Sequence, residues 1–338
     1  DNFSNPETGV KRLIPDHQKY QAGTFLTGNY RPSNNFSWEW GFRFDQVIID
    51  AQKFYDTSNW ISREYNIRYA EFEQKDFGTQ ILTNPRLNFS NISAQTGFAV
   101  GIGESVETTF SYMLTQRAPN VSELFSDGLH HSLASIEYGF IGLQKETSHK
   151  LILGINTQNK FLSIGIDPYL NRVSNFIFIQ PSGVELTIRG AFPVWEYQAT
   201  DVLMWGWDAY AKINLSENLK YNINAAYTYA QDILDAKPLI FVPPFSLFQQ
   251  LSYTFPKSEI EIEMAHRFTA TQSRFPDTNF RVNRIESGVI VQQEVDISTP
   301  PNGYHNFDLY FSLPLAKSNF KSTLRLIVQN LTNPSYND

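Results

Sequence analysis

The chain has 338 residues, a formal charge of −7 and no cysteine. The acidic balance excludes the basic stripe that a nucleic-acid partner requires, and the absence of thiols excludes disulfide frameworks and thiolate metal sites. Aromatic residues make up 15% and charged residues 18%, below the usual quarter for a soluble domain, and no apolar run reaches the roughly 18 residues of a membrane-spanning helix. No charged-then-apolar leader is present, so no signal peptide is expected within the sequence.

In chain order, residues 1–19 carry a weak pattern, with the tail of a strand expected around 10–14. Residues 21–30 read as a poorly alternating strand and 31–35 as a turn. The signal then sharpens: Phe36, Trp38, Trp40, Phe42 and Phe44 alternate with Ser37, Glu39, Gly41, Arg43 and Asp45. A period of two, aromatic on one side and polar on the other, marks a strand whose faces meet different solvents. The pattern returns at 110–115, 150–156, 162–171, 203–214, 221–229, 245–255, 260–268, 307–313 and 320–328. It is cleanest near the end, where Phe307, Leu309, Phe311 and Leu313 oppose Asn306, Asp308, Tyr310 and Ser312. About twelve such segments of about ten residues are expected, the length a tilted strand needs to cross a bilayer.

The connections choose the architecture. Short ones are predicted at 31–35, 103–107, 157–160, 216–218, 256–258 and 314–319, and long ones at 52–90, 117–147, 174–201, 232–244 and 271–304. They alternate along the chain, as an all-β, antiparallel up-and-down barrel requires and a Greek-key sandwich does not. A soluble all-β domain that buries the apolar face is the alternative. However, the apolar side carries Trp38, Trp40, Trp205, Trp207, Tyr221, Tyr227 and Tyr229, several towards strand ends. Interfacial aromatic girdles explain them, so a transmembrane barrel is the expected fold. The negative mean hydropathy does not oppose it, because lipid-facing and lumen-facing residues average to a polar value. Pro168 falls on the apolar face inside a segment, where it removes a ladder donor, and it predicts a bulge or strand end nearby.

The connection at 117–147 holds Arg117-Ala-Pro119, Glu123-Leu-Phe125, Asp127-Gly-Leu-His130, Glu137-Tyr-Gly139 and Leu143-Gln-Lys-Glu146-Thr-Ser148. Further on come Asn171-Arg-Val-Ser-Asn-Phe-Ile177, Tyr227-Thr-Tyr229, Pro243-Pro244, and Val328-Gln-Asn-Leu-Thr-Asn333 with Tyr336. In this order, over nearly the whole chain, the motifs resemble the C-terminal part of the barrel of TonB-dependent outer-membrane receptors. One departure is Phe140, where the family usually has Asn after Glu-x-Gly, so that turn must be built differently. The resemblance implies a partial transmembrane barrel, about twelve strands of about 22. Residues 1–338 are then expected to be a fragment of the receptor's β-barrel domain, with the plug domain, its energy-coupling box and the final strand absent. An open sheet leaves edges that a bilayer does not tolerate, so missing strands complete it or it closes as a smaller barrel.

The resemblance also implies residence in outer-membrane lipid of a bacterium. It implies uptake of a scarce ligand, driven by the TonB energy-coupling complex through the missing plug. A ferric siderophore is the expected ligand, with a haem receptor or a non-gated porin-type barrel as alternatives. The haem-receptor subgroup expects Asn-Pro-Asn-Leu where this chain has Gly139-Phe-Ile-Gly-Leu143, which places haem second.

Five residues are candidate ligand contacts. Arg117, with Glu123 and Asp127, either meets ligand or shapes its loop through an Arg–carboxylate pair and a turn at Asp127-Gly128. His130 and His131 either are solvated loop residues or meet ligand, an imidazole binding haem iron or zinc or hydrogen-bonding a siderophore. Adjacent residues on a strand point to opposite faces, so at most one of the two is expected to face it. Trp195 and Tyr197, with Phe192, either form an aromatic platform or pack their loop. No Gly-x-Ser-x-Gly motif and no metal-ligand spacing occurs, and His266 sits on the apolar side of its strand with no evident partner. A Ser–His hydrolase is therefore not expected.

Overall fold

A computed structural model describes residues 2–3, 13–296, 298–300, 302–317 and 320–332. Twelve long strands run through these residues: β1 (Asp16–Ser33), β2 (Phe36–Asp56), β3 (Arg86–Ile102), β4 (Val106–Arg117), β5 (Glu146–Gln158), β6 (Leu162–Thr187), β7 (Gly190–Asn214), β8 (Leu219–Asp232), β9 (Ser246–Thr254), β10 (Glu261–Thr269), β11 (Tyr304–Lys317) and β12 (Phe320–Val328). Each pairs antiparallel with the next, giving one up-and-down meander. The sheet is not closed: among the described residues β12 pairs with β11, while β1 pairs with β2 and with Asn2–Phe3.

The registers explain why the alternation was readable. Trp38 pairs with Phe98, Phe98 with Phe110, and Phe110 with Leu153. Leu151 pairs with Leu170, Leu170 with Trp205, and Trp205 with Tyr229. Leu251, Met264, Leu309 and Val328 form a third row. Cross-strand partners share a face, so these rows merge into one apolar surface. It stays exposed: Phe42 at 47%, Met264 at 45% and Leu326 at 63%. Charge collects on the other face, where Arg43 binds Asp45, Arg267 binds Asp308, and Arg325 lies 3.1 Å from Glu263.

In β2 the polarity of the two faces inverts along the strand. Up to Phe44 the even positions are apolar and the odd ones polar; from Val47 the odd positions Val47, Ile49, Ala51 and Tyr55 are apolar and buried. The ladder to β3 runs unbroken from Phe36 to Asp50, so no side chain has changed face. What changes is the surroundings, because loops cover this end of the polar face.

That inversion corrects the predicted loop at 52–90. The strand continues to Asp56, and the connection holds α1 (Thr57–Ser62), α2 (Tyr65–Arg68) and a hairpin of Glu73–Asp76 with Gln80–Thr83 that pairs back onto β2. The predicted loop at 174–201 is corrected more strongly. β6 and β7 run through it as one hairpin whose tip is Ile188-Arg189. Register shifts between Val173 and Phe176 and between Pro181 and Gly183 break the period of two while the backbone stays extended. The first shift contains Asn175, at φ 55°.

At Pro168 the register to β5 skips two residues without shifting: Ile152 pairs with Tyr169 and Ile155 with Ile166. The nearest bulge is the one at Asn175. The long connections 118–145, 233–245 and 270–303 carry short elements only: α3 (Val121–Phe125), a hairpin of Asp127–His130 with Ser135–Tyr138, and a hairpin of Phe280–Glu286 with Val289–Val295. Residues 10–12 of the expected first strand tail and residues 318–319 of the expected last turn lie outside the described residues.

Candidate functional site

Two of the long connections, 57–85 and 118–145, meet around the core that β2 begins. Val47, Ile49, Ala51 and Tyr55 pack there with Trp60 and Tyr65 of 57–85, with Val121, Leu124, Phe125, Ile141 and Leu143 of 118–145, and with Ile177 of β6. Trp60 is fully buried and its ring lies 4.9 Å from Tyr55 and 5.3 Å from Tyr65. A separate cluster joins Val202 and Ala230 to Leu239, with Phe176 against it. Phe176 and Ile177 are consecutive, so the β6–β7 hairpin supplies side chains to both clusters from alternate faces.

Arg117 stands at the end of β4 and ties the connection 118–145 to the sheet. Its Nε donates to Glu146 Oε2 at 2.6 Å, and its Nη1 donates to both oxygens of Glu123 at 2.9 and 3.0 Å. Glu123 in turn accepts the Asn120 N–H at 2.7 Å, completing a capping box that starts α3. Burial works against the Arg117 cation, but its bonds to Glu146 and Glu123 outweigh that and raise its pKa. All of this is loop architecture.

Asp127 lies against Lys53, a residue that sequence reasoning missed. Lys53 Nζ donates to the Phe125 carbonyl at 2.7 Å, sits 3.3 Å from Asp127 Oδ2, and lies 4.5 Å from the centre of the Tyr55 ring. A signal existed: Lys53 occupies an odd position in the apolar run Val47, Ile49, Ala51, Tyr55, and a charge on a buried face needs a partner. Phe140, the departure from the family pattern, stacks on Tyr65 at 6.4 Å and gives its N–H to the Glu123 carbonyl. Aromatic packing thus replaces a polar side chain at that turn.

His130 ends the short strand Asp127–His130 and His131 opens the turn after it, so strand alternation does not relate the two. His131 is exposed, whereas His130 is partly buried with Nδ1 2.9 Å from Glu137 Oε1 and Nε2 3.4 Å from Ser132 Oγ. His266 is not isolated: its Nε2 lies 2.9 Å from His305 Nδ1, its other nitrogen faces Gln249, and its ring stacks on Phe307 at 4.4 Å.

The structure separates Trp195 from Tyr197. Tyr197 lines an open cleft of about 440 Å³ with Arg63, Tyr65, Tyr138, Phe140 and Glu196. Arg63 lies 4.6 Å from the Tyr138 ring centre, donates to the Gly139 carbonyl at 3.3 Å and is 3.8 Å from Glu196. Burial opposes its charge, yet Tyr65 and the carboxylates of Glu196 and Asp127 outweigh that and its pKa is raised. The Tyr138 phenol donates to Glu185 Oε2 at 2.6 Å. Burial, then the Glu185 carboxylate, pushes its pKa up; burial and then Glu137 and Glu123 do the same to Tyr197. The cleft therefore presents a guanidinium with Glu196 beside it and aromatic ring faces on which a flat ligand can stack. Arg63, Tyr65 and Tyr138 were not legible as site residues, because contacts between 57–85, 118–145 and β7 assemble them. Among the described residues no group of three or more His, Asp or Glu is placed to hold a metal ion.

A family model described as "TonB dependent receptor-like, beta-barrel" matches residues 1–331. A comparison with curated proteins finds no match. Among solved structures the chain is similar to the copper transporter OprC, at 16% identity and a TM-score of 0.69, covering 95% of this chain and 43% of that one. It is similar to the Serratia marcescens hemophore receptor HasR, solved as a double mutant with its hemophore HasA and heme, at 16% identity and a TM-score of 0.65, covering 98% and 51%. It is also similar to the ferric-catecholate import receptor Fiu from K12 E. coli, at 14% identity and a TM-score of 0.60, covering 97% and 43%. At these identities the likeness is one of fold, and the chain spans about half or less of the length of these structures. With an antiparallel meander in place and a family match over almost its whole length, the chain belongs to the TonB-dependent receptor-like β-barrel family.

Proposed function

We propose that residues 1–338 are barrel wall of an outer-membrane receptor, with a plug domain and the closing strand supplied by sequence outside them. The continuous exposed apolar surface supports a membrane setting, since soluble proteins rarely expose apolar patches of that extent. In lipid the free edges of the sheet need partners, which further strands provide. Ligand recognition by the loops, followed by plug movement driven through TonB, is the transport mechanism of this reading.

The ligand is an anionic, oxygen-rich chelate of the ferric-siderophore class. The observation that carries this is the cleft that Arg63 lines together with Tyr65, Tyr138 and Tyr197, Arg63 being paired only loosely with Glu196 at 3.8 Å. A guanidinium meets carboxylate or phenolate oxygens with paired hydrogen bonds, and the tyrosines add ring faces. Structures of this fold carry names for copper, heme and ferric catecholate, so fold likeness alone does not choose.

A haem ligand is the second reading, favoured by His130. An imidazole whose Nδ1 rests on Glu137 is oriented as haem and metal ligands are, with Nε2 as the binding nitrogen. Growth of an iron-starved host carrying the full gene, on ferric siderophores or on haem, separates the readings. Arg63→Ala should abolish growth on a siderophore, and His130→Ala growth on haem. If growth on no iron source depends on the gene, or uptake persists without energy coupling, the receptor reading gives way to a porin-type barrel.

A further inference from the structure

A second cavity, of about 500 Å³, lies between the connections 233–245 and 270–303 and the Trp195 edge of β7. It shares no lining residue with the Arg63 cleft. Its wall is mostly apolar, with Pro181, Trp195, Leu239, Phe241, Phe275 and Pro276 on it, and polar at Gln272, Thr278, Ser298 and Asn302.

Two features of this cavity are left over once packing is accounted for. Phe241 is 80% exposed and holds a φ of 58°, in the left-handed region that bulky residues rarely adopt. Its ring lies parallel to Trp195, with centroids 6.2 Å apart and planes at 13°. The stack on Trp195 still leaves most of Phe241 exposed to the hollow, and backbone outliers of this kind gather at ligand clamps. Arg274, on the same wall, is half-buried. Its guanidinium lies 3.5 Å from the Tyr229 ring centre and its Nη2 is 3.5 Å from Gln231 Oε1, and no carboxylate pairs with it among the described residues.

We propose that this cavity binds a soluble amphiphilic carboxylate, its hydrocarbon body against Trp195 and Phe241 and its head group on Arg274. An apolar hollow with a single cation at its border matches a molecule that is apolar along its length and anionic at one end. The volume lies within the roughly 300–1,000 Å³ of small-molecule sites. Because the site is distinct from the Arg63 cleft, its occupancy does not depend on which iron-bearing ligand that cleft takes.

The full-length receptor in discs of zwitterionic lipid, titrated with dodecanoate by calorimetry against empty discs, tests this. Dodecyltrimethylammonium serves as the cation of equal tail length. Saturable one-to-one binding of dodecanoate is expected, with binding of the cation about tenfold weaker or worse. Arg274→Gln should weaken dodecanoate binding by about tenfold, the effect of one charge-assisted hydrogen bond. Phe241→Gly removes the ring and relieves the backbone, so it should weaken binding while the melting temperature stays level or rises. No saturable binding above empty discs, equal binding of the cation, or unchanged affinity in either variant overturns the proposal.

Discussion

Lys53 Nζ lies 3.3 Å from Asp127 Oδ2, with only 4% and 7% of the two side chains exposed. Lys53 belongs to the sheet and Asp127 to the connection 118–145, so this buried pair fixes the loop assembly to the end of β2. Removing one partner leaves the other charge buried without its ion-pair counterpart. Lys53→Met or Asp127→Leu alone should destabilise the assembly by about 3–5 kcal/mol, whereas the double variant should recover most of the loss. Hydrogen exchange across 118–145 reads this directly, and equal protection in the single variants would show that the pair does not hold the loop.

Gly139 closes the same connection from its other side. Its N–H donates to the Ser126 carbonyl at 2.7 Å, and a Cβ built on it would meet backbone atoms of Leu124 and Phe125 at 2.6 Å. Backbone cannot step aside as a side-chain tip can. Gly139→Ala should cost about 1–3 kcal/mol and expose 118–145 to protease. A cleavage pattern identical to the parent's would remove the steric explanation for the glycine.

Alkaline pH should loosen the loop assembly. Burial is the first cause in raising the pKa of Tyr55, Tyr65 and Tyr138 above the ordinary 10.0. Folded values above unfolded ones mean that the unfolded phenols ionise first. Stability from the neutral buried phenols is complete below about pH 10 and is lost as pH rises from there through the folded values. Protease resistance of 57–85 and 118–145 should therefore be flat near neutrality and fall above about pH 10, less steeply in Tyr55→Phe. Resistance unchanged up to about pH 12 would contradict this sign.

The membrane reading makes a face-specific prediction. Phe42 lies on the apolar face and Gln95 on the other, paired with Gly41. Phe42→Arg should cost about 2–4 kcal/mol for insertion of the complete barrel into bilayers, and Gln95→Arg far less. Folding yield into vesicles measures both, and equal penalties would mean the apolar face does not meet lipid.

Most of the strands, their order and the apolar face of the cleanly alternating segments were legible in the sequence. Period two at Phe36–Phe44 and Phe307–Leu313 is a local property, and it survives because each strand spans two different environments. The sequence also marked the connection 117–147 as special, although not the backbone contact that demands Gly139. It misjudged 174–201, since bulges at Asn175 and Pro181 shift side-chain parity without ending the strand. It also missed the inversion at Asp45, because the same alternation serves lipid below and a loop core above.

The candidate clefts follow from tertiary contacts alone. Arg117, a candidate ligand contact, is held by Glu123 and Glu146, and Trp195 parts from Tyr197 into a different cavity. Arg63, Tyr138 and Tyr197 come from three distant segments, as do Trp195, Phe241 and Arg274. A strand pattern is written in neighbouring residues, whereas a binding site is written in loop packing, which no local period records.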